Sequence, residues 1–378
     1  MVEGVEISVV LPCRNEEKAI GFCIKRIKEV FLKYNINGEI IVSDSSKDRS
    51  PDIARELGAI VVKHDKKGYG IAYLEGFKAA KGKYILMADA DGTYEFRDIH
   101  KFLHYLKQGY DFVIGDRFGE GMDKDIMPWT HKYLGNPALS GMLRLFFGTE
   151  VKDAHCGIRA ITRKALDKLD LKTTGMEFAS EMVVKAIKNR LRIKQFAVPY
   201  YKRIGESKLE TWTDGWRHLR FMLLYAPDYL FMIPGLFLFI IGIIVMALFL
   251  VGPVKIDGLV LYTHPMIVGS FLTIVGYQIL TLGVYAKTYA VATGFEKRDR
   301  VVDFIAKYIN FESGIIISLL LLLLSFGFGV KILLTWISSG YPAMLRTNDM
   351  ILILTLAITG VQTMFSAFFL SLLLVGKR

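Results

Sequence analysis

The chain has 378 residues, 52% of them hydrophobic, and carries 48 Lys and Arg against 37 Asp and Glu, a formal net charge of +11. A mean hydropathy of +0.34 excludes a wholly soluble enzyme, and the apolar residues concentrate after Tyr229, which divides the chain into a soluble half and a membrane half. The positive balance calls for an anionic partner: nucleic acid, phosphate or a lipid surface.

Cys13, Cys23 and Cys156 show neither metal-ligand spacing nor a pairing pattern, so they read as reduced, cytoplasmic and structural. The first six residues, Met1 to Glu6, lack the basic region and apolar core of a cleaved signal.

In chain order, Ile7-Ser8-Val9-Val10-Leu11 reads as a buried strand ended by Pro12. Arg14-Asn15-Glu16-Glu17 opens a helix with Ile20, Cys23, Ile24, Ile27 and Val30 at steps of three and four. Glu39 to Val42 is a second strand that runs into the polar turn Ser43-Asp44-Ser45-Ser46-Lys47-Asp48, with a helix from Pro51. Ala59 to Val62 is a third strand, and a helix from Tyr69 to Ala80 is entered through Gly68 and Gly70. The strand Tyr84-Ile85-Leu86-Met87 stops at Asp89 and Asp91, and Phe112 to Gly115 is a fifth strand. Strands alternating with helices predict a parallel, doubly wound α/β sheet, with ligands at the strand carboxyl ends.

Asp89 and Asp91, two apart, share a face if the chain is extended there. Two convergent carboxylates suit a hard divalent cation that also holds the phosphates of a nucleotide. Neither G-x-x-x-x-G-K-[ST] nor, after the first strand, G-x-G-x-x-G occurs, so a nucleotide is held by another arrangement.

These motifs together resemble family-2 glycosyltransferases of the GT-A fold, and among them the polyprenyl-phosphate (dolichyl-phosphate) hexose synthases, over Ile7 to Leu209. The resemblance implies nucleotide-sugar binding by Pro12, Arg14, Asn15, Glu16, Asp44, Lys67, Gly68 and Asp89. It implies Mg²⁺ or Mn²⁺ at Asp91 and Asp89, and catalytic roles for Asp89, Asp91 and Arg117. Gly115-Asp116-Arg117-Phe118 resembles the family's G-S-R-[FY] element, and Asp153 to Arg159 its D-x-x-[SC]-G-[FI]-[RK] stretch. Glu177 to Glu181 resembles an acidic helix start, and Arg203 to Leu209 the R-x-G-x-S-K-[LF] segment. Arg117, Arg203 and Lys208 are then the acceptor-phosphate residues. Ser43 departs from relatives that carry an acid there, which leaves the base open: a UDP-hexose is favoured over GDP-mannose.

The domains expected are 1–210 for the glycosyltransferase, 211–228 for an interfacial amphipathic helix, and 229–378 for four spans at 229–251, 265–286, 314–337 and 350–375. Trp212, Trp216, Leu219 and Leu223 define the apolar face of that helix, opposite Arg217 and Arg220. Lys287, Lys297, Arg298, Arg300 and Lys307 between the second and third spans, against Lys255 and Arg346 in the other connections, place the basic loop and the catalytic domain inside, at the plasma membrane. The partners expected are a nucleotide-diphosphate sugar, a polyprenyl or dolichyl phosphate and the membrane, with no nucleic acid and with homo-oligomerisation left open. A processive polysaccharide synthase is the rival reading, although its Q-x-x-R-W element is missing. A lipid-binding or flipping module with a degenerate enzyme domain is another, which need not keep the acids.

Overall fold

The structure, a computed structural model, describes residues 4–119, 126–127, 129–205, 211–252, 254–256, 259–261, 263–292, 303, 311–340 and 346–374. It divides into two compact units, Met1–Met222 and Leu223–Arg378.

The first unit opens with β1 (Ile7–Cys13), α1 (Ile20–Lys33), β2 (Gly38–Asp44), α2 (Ser50–Glu56), β3 (Ile60–Lys63), α3 (Tyr69–Ala79) and β4 (Tyr84–Met87). It continues with α4 (Ile99–Lys107), β5 (Phe112–Asp116), α5 (Asn136–Phe147), β6 (Arg159–Thr162), α6 (Arg163–Leu169), α7 (Phe178–Lys188), β7 (Ile193–Ala197) and α8 (Thr211–Leu224). The strands form one seven-stranded sheet in the order β3-β2-β1-β4-β6-β5-β7.

Ile7, Val9, Val10 and Leu11 of β1 are wholly buried, as a central strand covered on both faces requires. The α1 stripe Ile20, Cys23, Ile24, Ile27 and Val30 is buried as its spacing predicts. Burial also pushes the Cys13, Cys23 and Cys156 thiols up to about 12, so all three stay protonated and unreactive.

Two expectations are corrected, and two strands are added. The sheet is mixed rather than parallel, because β6 runs antiparallel to both β4 and β5. β6 and β7 had no clear signal: β6 is four residues that include an arginine, and β7 carries Lys194 and Gln195 on a half-buried edge. β1 also continues through Pro12 to Cys13, and Pro12 stands opposite Ser43 of β2.

α8 buries His218, Phe221 and Met222, whereas Trp216 is 60% exposed and Arg217 and Arg220 are exposed. The face packed on the protein is thus the His218–Phe221–Met222 face, and Trp216 of the face expected to meet the membrane stays exposed. Apolar residues occur all round this helix, so periodicity alone does not choose between its faces. The side chain of Trp212 lies outside the described residues.

Among its described residues the second unit holds four helices long and apolar enough to cross a membrane: Asp228–Leu250, His264–Ala292, Phe311–Ser338 and Thr347–Leu373. A two-stranded hairpin, Val254–Ile256 and Leu259–Leu261, follows the first. The first two approach closely through glycines: a Cβ at Gly276 would lie 2.3 Å from the amide nitrogen of Phe239, and one at Gly242 2.4 Å from that of Thr273. Hydroxyl pairs, Ser270 with Thr355 and Tyr277 with Thr363, each 2.6 Å apart, join the second and fourth.

The second helix continues past residue 286 to Ala292, which changes the role of Lys287. Its side chain is 3% exposed, and its Nζ donates to both carboxylate oxygens of Asp228 at 2.9 and 2.8 Å. It is thus an interhelical staple and not a charge in a loop. Lys297, Arg298, Arg300 and Lys307 lie outside the described residues.

The two partners of this pair are unequally solvated, since the Asp228 side chain is 45% exposed. Asp228→Asn strands a buried ammonium and is expected to lower unfolding stability by about 3 kcal/mol. Lys287→Met leaves a carboxylate that water can reach, and is expected to cost under ~1 kcal/mol. Thermal unfolding of the two variants in detergent checks the order, and equal losses would contradict it.

Candidate active site

The carboxyl ends of β1, β2 and β4 lie side by side in the sheet and deliver the first motifs to one edge. The loop after β1 and the turn after β2 are tied to each other. The amide of Asn15 donates to Ser46 Oγ at 2.8 Å, and the amide of Lys47 donates back to Asn15 Oδ1 at 2.9 Å. Asn15 holds a left-handed conformation, φ 54°, one that asparagine tolerates better than most residues.

Asp44 is wholly buried and accepts from Lys63 Nζ at 2.8 Å and from the amide of Ser46 at 3.2 Å. Ser43 is also wholly buried, with its Oγ 3.1 Å from His64 Nε2.

Asp89 and Asp91 lie past the end of β4, in a turn, and not on an extended strand. Gly92 makes that turn with φ 78°, and a Cβ there would also meet Ile204 at 2.8 Å. Asp91 Oδ1 accepts from the hydroxyl of Thr93 at 2.6 Å and from its amide at 3.1 Å. The segment 200–204 pairs against the same turn: the amide of Ile204 donates to the Asp91 carbonyl, and the amide of Tyr201 to that of Thr93, each at 2.9 Å.

This pairing delivers Arg203. Its Nη1 donates to Asp91 Oδ2 at 2.8 Å and its Nη2 to Glu16 Oε1 at 2.5 Å, so one guanidinium bridges the first and fourth motifs. Burial, and next the charge of Asp91, push the Asp89 carboxyl well above the usual range. Two crowded carboxylates of this kind favour a cation between or beside them. The donor set fits a hard divalent ion that takes its other ligands from diphosphate oxygens and water.

Arg117, at the end of β5, is placed differently from an open phosphate clamp. Its Nε and Nη2 donate to the two oxygens of Asp153 at 2.7 and 2.8 Å, and both side chains are buried. Burial works against the charge, but Asp153 overrides it and holds the guanidinium pKa well above its ordinary value. The pair is electrically neutral as a unit, and Arg117 also lies over the Tyr200 ring, 5.5 Å from its centroid. Arg117 therefore stands in a wall of the site, held there by Asp153.

Other predicted residues divide by position. Arg14 and Lys67 are exposed beside the motifs, and Pro12 is half-buried. At Gly68 and Gly70 a Cβ would lie 2.3 Å from the carbonyl oxygens of Thr174 and Thr173, so helix-to-loop packing demands both glycines. Glu181, wholly buried, holds that loop through Thr173 Oγ1 at 2.6 Å. Lys208 lies outside the described residues.

Sequence reasoning missed several neighbours of the acids. Burial, and next the charge of Asp89, push the Tyr69 phenol well above its ordinary pKa. Tyr94 accepts from the amide of Gly157 at 2.7 Å, and a Cβ at Gly157 would lie 2.3 Å from Asp89 Oδ2. Tyr69 and Gly157 did belong to recognised motifs, but nothing in the spacing of Tyr94 marks it.

His155 Nε2 lies 3.1 Å from Ser180 Oγ, which lies 2.8 Å from His218 Nδ1. Burial, then the neighbouring His218, Arg117 and Arg159, hold His155 well below its ordinary pKa. Burial, then Arg159, bring His218 down to about 4. Both are neutral at pH 7, so neither arrives as a charged acid.

Stability follows from this neutrality. Between pH 6.5 and about 4 the unfolded chain binds a proton at His218 that the folded chain refuses, so stability rises with pH in this window and is lost as pH falls. At pH 5 the loss from His218 is on the order of 2 kcal/mol. His218→Asn is expected to reduce the fall in thermal midpoint between pH 7.5 and 5, and an unchanged fall would contradict the assignment.

The glycosyl transferase family 2 profile matches residues 8–170, and the glycosyltransferase family 2 C-terminal transmembrane region profile matches residues 284–374. The low-salt glycan biosynthesis hexosyltransferase Agl6 of Haloferax volcanii is 39% identical over 366 residues, covering 96% of this chain and 88% of that protein. The dolichyl-phosphate hexose transferase of the same organism is 31% identical, over 56% of this chain and 89% of its own length. The UDP-N-acetylglucosamine–dolichyl-phosphate N-acetylglucosaminyltransferase of Methanococcus voltae is 32% identical, over 51% of this chain and 84% of its own.

Proposed function

The chain belongs to glycosyltransferase family 2 as a multi-pass membrane enzyme with a GT-A domain, and from that premise we propose that it moves a hexose from a nucleotide-diphosphate sugar to a polyprenyl phosphate. A UDP-hexose is the favoured donor, and transfer inverts the anomeric carbon. The observation that carries this reading is Arg203 bridging Glu16 and Asp91 at the strand ends, in a chain that also holds four spans. Names of relatives that act on dolichyl phosphate support the same acceptor class.

In this account the loops after β1 and β2 seat the nucleotide, with Asn15, Glu16 and Asp44 as their fixed points. Asp91 and Asp89 are the residues that would hold Mg²⁺ or Mn²⁺, which when bound neutralises the departing diphosphate as a Lewis acid. Arg203 adds positive charge at the same place, where negative charge develops as the glycosidic bond breaks.

The acceptor needs no general base. A phosphate monoester has a second pKa of about 6 and is already ionised at neutral pH. That agrees with a site wall whose histidine, His155, is neutral and directed to Ser180. Lys208 and Arg203 remain the residues for the acceptor phosphate, with charge-assisted contacts worth roughly 1.5–3 kcal/mol each.

The orientation follows from loop charge. Lys297, Arg298, Arg300 and Lys307 between the second and third spans outnumber Lys255 and Arg346 in the other connections, even with Lys287 assigned to a helix. The basic connection and the catalytic unit are therefore placed on the cytoplasmic side of the plasma membrane.

Asp91→Asn keeps the shape of the turn and removes the charge. It is expected to reduce transfer by more than about a hundredfold, roughly 3 kcal/mol of transition-state stabilisation, with the thermal midpoint nearly unchanged. Normal turnover in this variant would remove Asp91 from the chemistry. Competition of UDP against GDP, each with Mn²⁺, checks the donor: a preference for UDP is expected, and a preference for GDP would assign the GDP-sugar instead.

A further inference from the structure

A buried line of three polar side chains runs from the loop beside the strand-end acids to the last helix of the first unit. His155 Nε2, Ser180 Oγ and His218 Nδ1 follow one another at 3.1 and 2.8 Å, and the two imidazole rings meet edge to face with centroids 4.4 Å apart. Ser180 is wholly buried and His218 is 6% exposed. The transfer chemistry above uses neither imidazole. A hydroxyl between two neutral imidazoles donates to one and accepts from the other, so the line acts as a unit and is broken by loss of the hydroxyl.

At one end, His155 sits in the loop 153–157, which is held at successive residues. Asp153 pairs with Arg117, the carbonyls of Ala154 and Cys156 accept from Arg159 Nη2 at 3.3 and 2.5 Å, and the amide of Gly157 donates to Tyr94. Gly157 packs against the Asp89 carboxylate so tightly that no Cβ fits. At the other end, His218 lies midway along α8, whose final residues, Leu223 and Leu224, begin the second unit.

We propose that His155, Ser180 and His218 are positioning residues that lock α8 to the loop 153–157 and thereby fix the seat of Arg117 in the site wall. Turnover then depends on the placement of the helix that leads into the membrane half, although none of the three touches substrate. The inference deepens the transfer reading above and rests on it. It separates the two substrates: the loops that seat the nucleotide, after β1 and β2, are held by contacts of their own.

The test uses the full chain in detergent, with a UDP-hexose and polyprenyl phosphate, and measures kcat, the KM for the nucleotide sugar and the thermal midpoint. Ser180→Ala removes one oxygen without changing the packing. Ser180→Ala and His218→Ala are each expected to lower kcat about tenfold while the nucleotide KM stays within about twofold. His218→Asn, whose amide offers a hydrogen-bonding group near the place of Nδ1, is expected to keep kcat within about threefold of wild type. The double variant Ser180→Ala/His218→Ala is expected to be no slower than Ser180→Ala, because the line is broken only once.

Wild-type kcat in Ser180→Ala, a loss confined to the nucleotide KM, or multiplying losses in the double variant would each overturn the inference. Ser180→Ala alone decides the matter if His218→Ala does not fold. Wild-type turnover is measured in the same assay, so absence of transfer by the wild type contradicts the function proposed above, and normal transfer by the variants contradicts only this inference.

Discussion

Carboxylates gathered at the carboxyl ends of adjacent parallel strands repel one another, and the site is organised around meeting that repulsion with positive charge. Asp89 and Asp91 stand two residues apart in one turn, and Glu16 comes from the neighbouring loop. Arg203 spans two of these three acids, and its placement depends on backbone hydrogen bonds between the segment 200–204 and the turn 91–93. That dependence explains why the sheet must present its edge with so little freedom. A slip of one residue in the 200–204 pairing would turn the guanidinium away from both acids.

The same rule of local neutrality recurs elsewhere. Arg117 is matched by Asp153, Asp44 by Lys63 and Glu181 by Lys185. In the second unit Lys287 is matched by Asp228. Buried pairs contribute little net stability, but removing one partner costs far more than the pair is worth. Arg159, also buried, is met instead by the carbonyls of Ala154, Cys156 and Ala179. Arg203 is 23% exposed and faces the edge where ligands gather.

Much of this was legible in the sequence, and the reasons are physical. β1, β2 and β4 carry the apolar runs Val9–Leu11, Ile40–Val42 and Tyr84–Met87 because both faces are covered, and the acids after them stand out against that background. The four spans announce themselves by length and apolarity. What stayed hidden depends on partners distant in sequence. β6 contains Arg159, whose guanidinium is buried only because the carbonyls of Ala154, Cys156 and Ala179 accept from it. Arg117 reads like an anion-binding arginine until Asp153, 36 residues on, is seen to take its fork. Lys287 reads like a loop charge until Asp228, 59 residues earlier, is found beside it. The buried face of α8 is likewise set by Ser180, 38 residues before His218.

The central claim is that the cationic strand-end site joins a sugar to a phosphate already ionised in the membrane, and it is tested most directly by the choice of acceptor. Full-length protein with Mn²⁺ and a radiolabelled UDP-hexose would be given polyprenyl phosphate or the corresponding free polyprenol, and the label in the extracted lipid counted. The account predicts transfer to the phosphate and almost none to the alcohol, since the phosphate is already ionised and a hydroxyl would first have to lose its proton. Equal labelling of both lipids would contradict it.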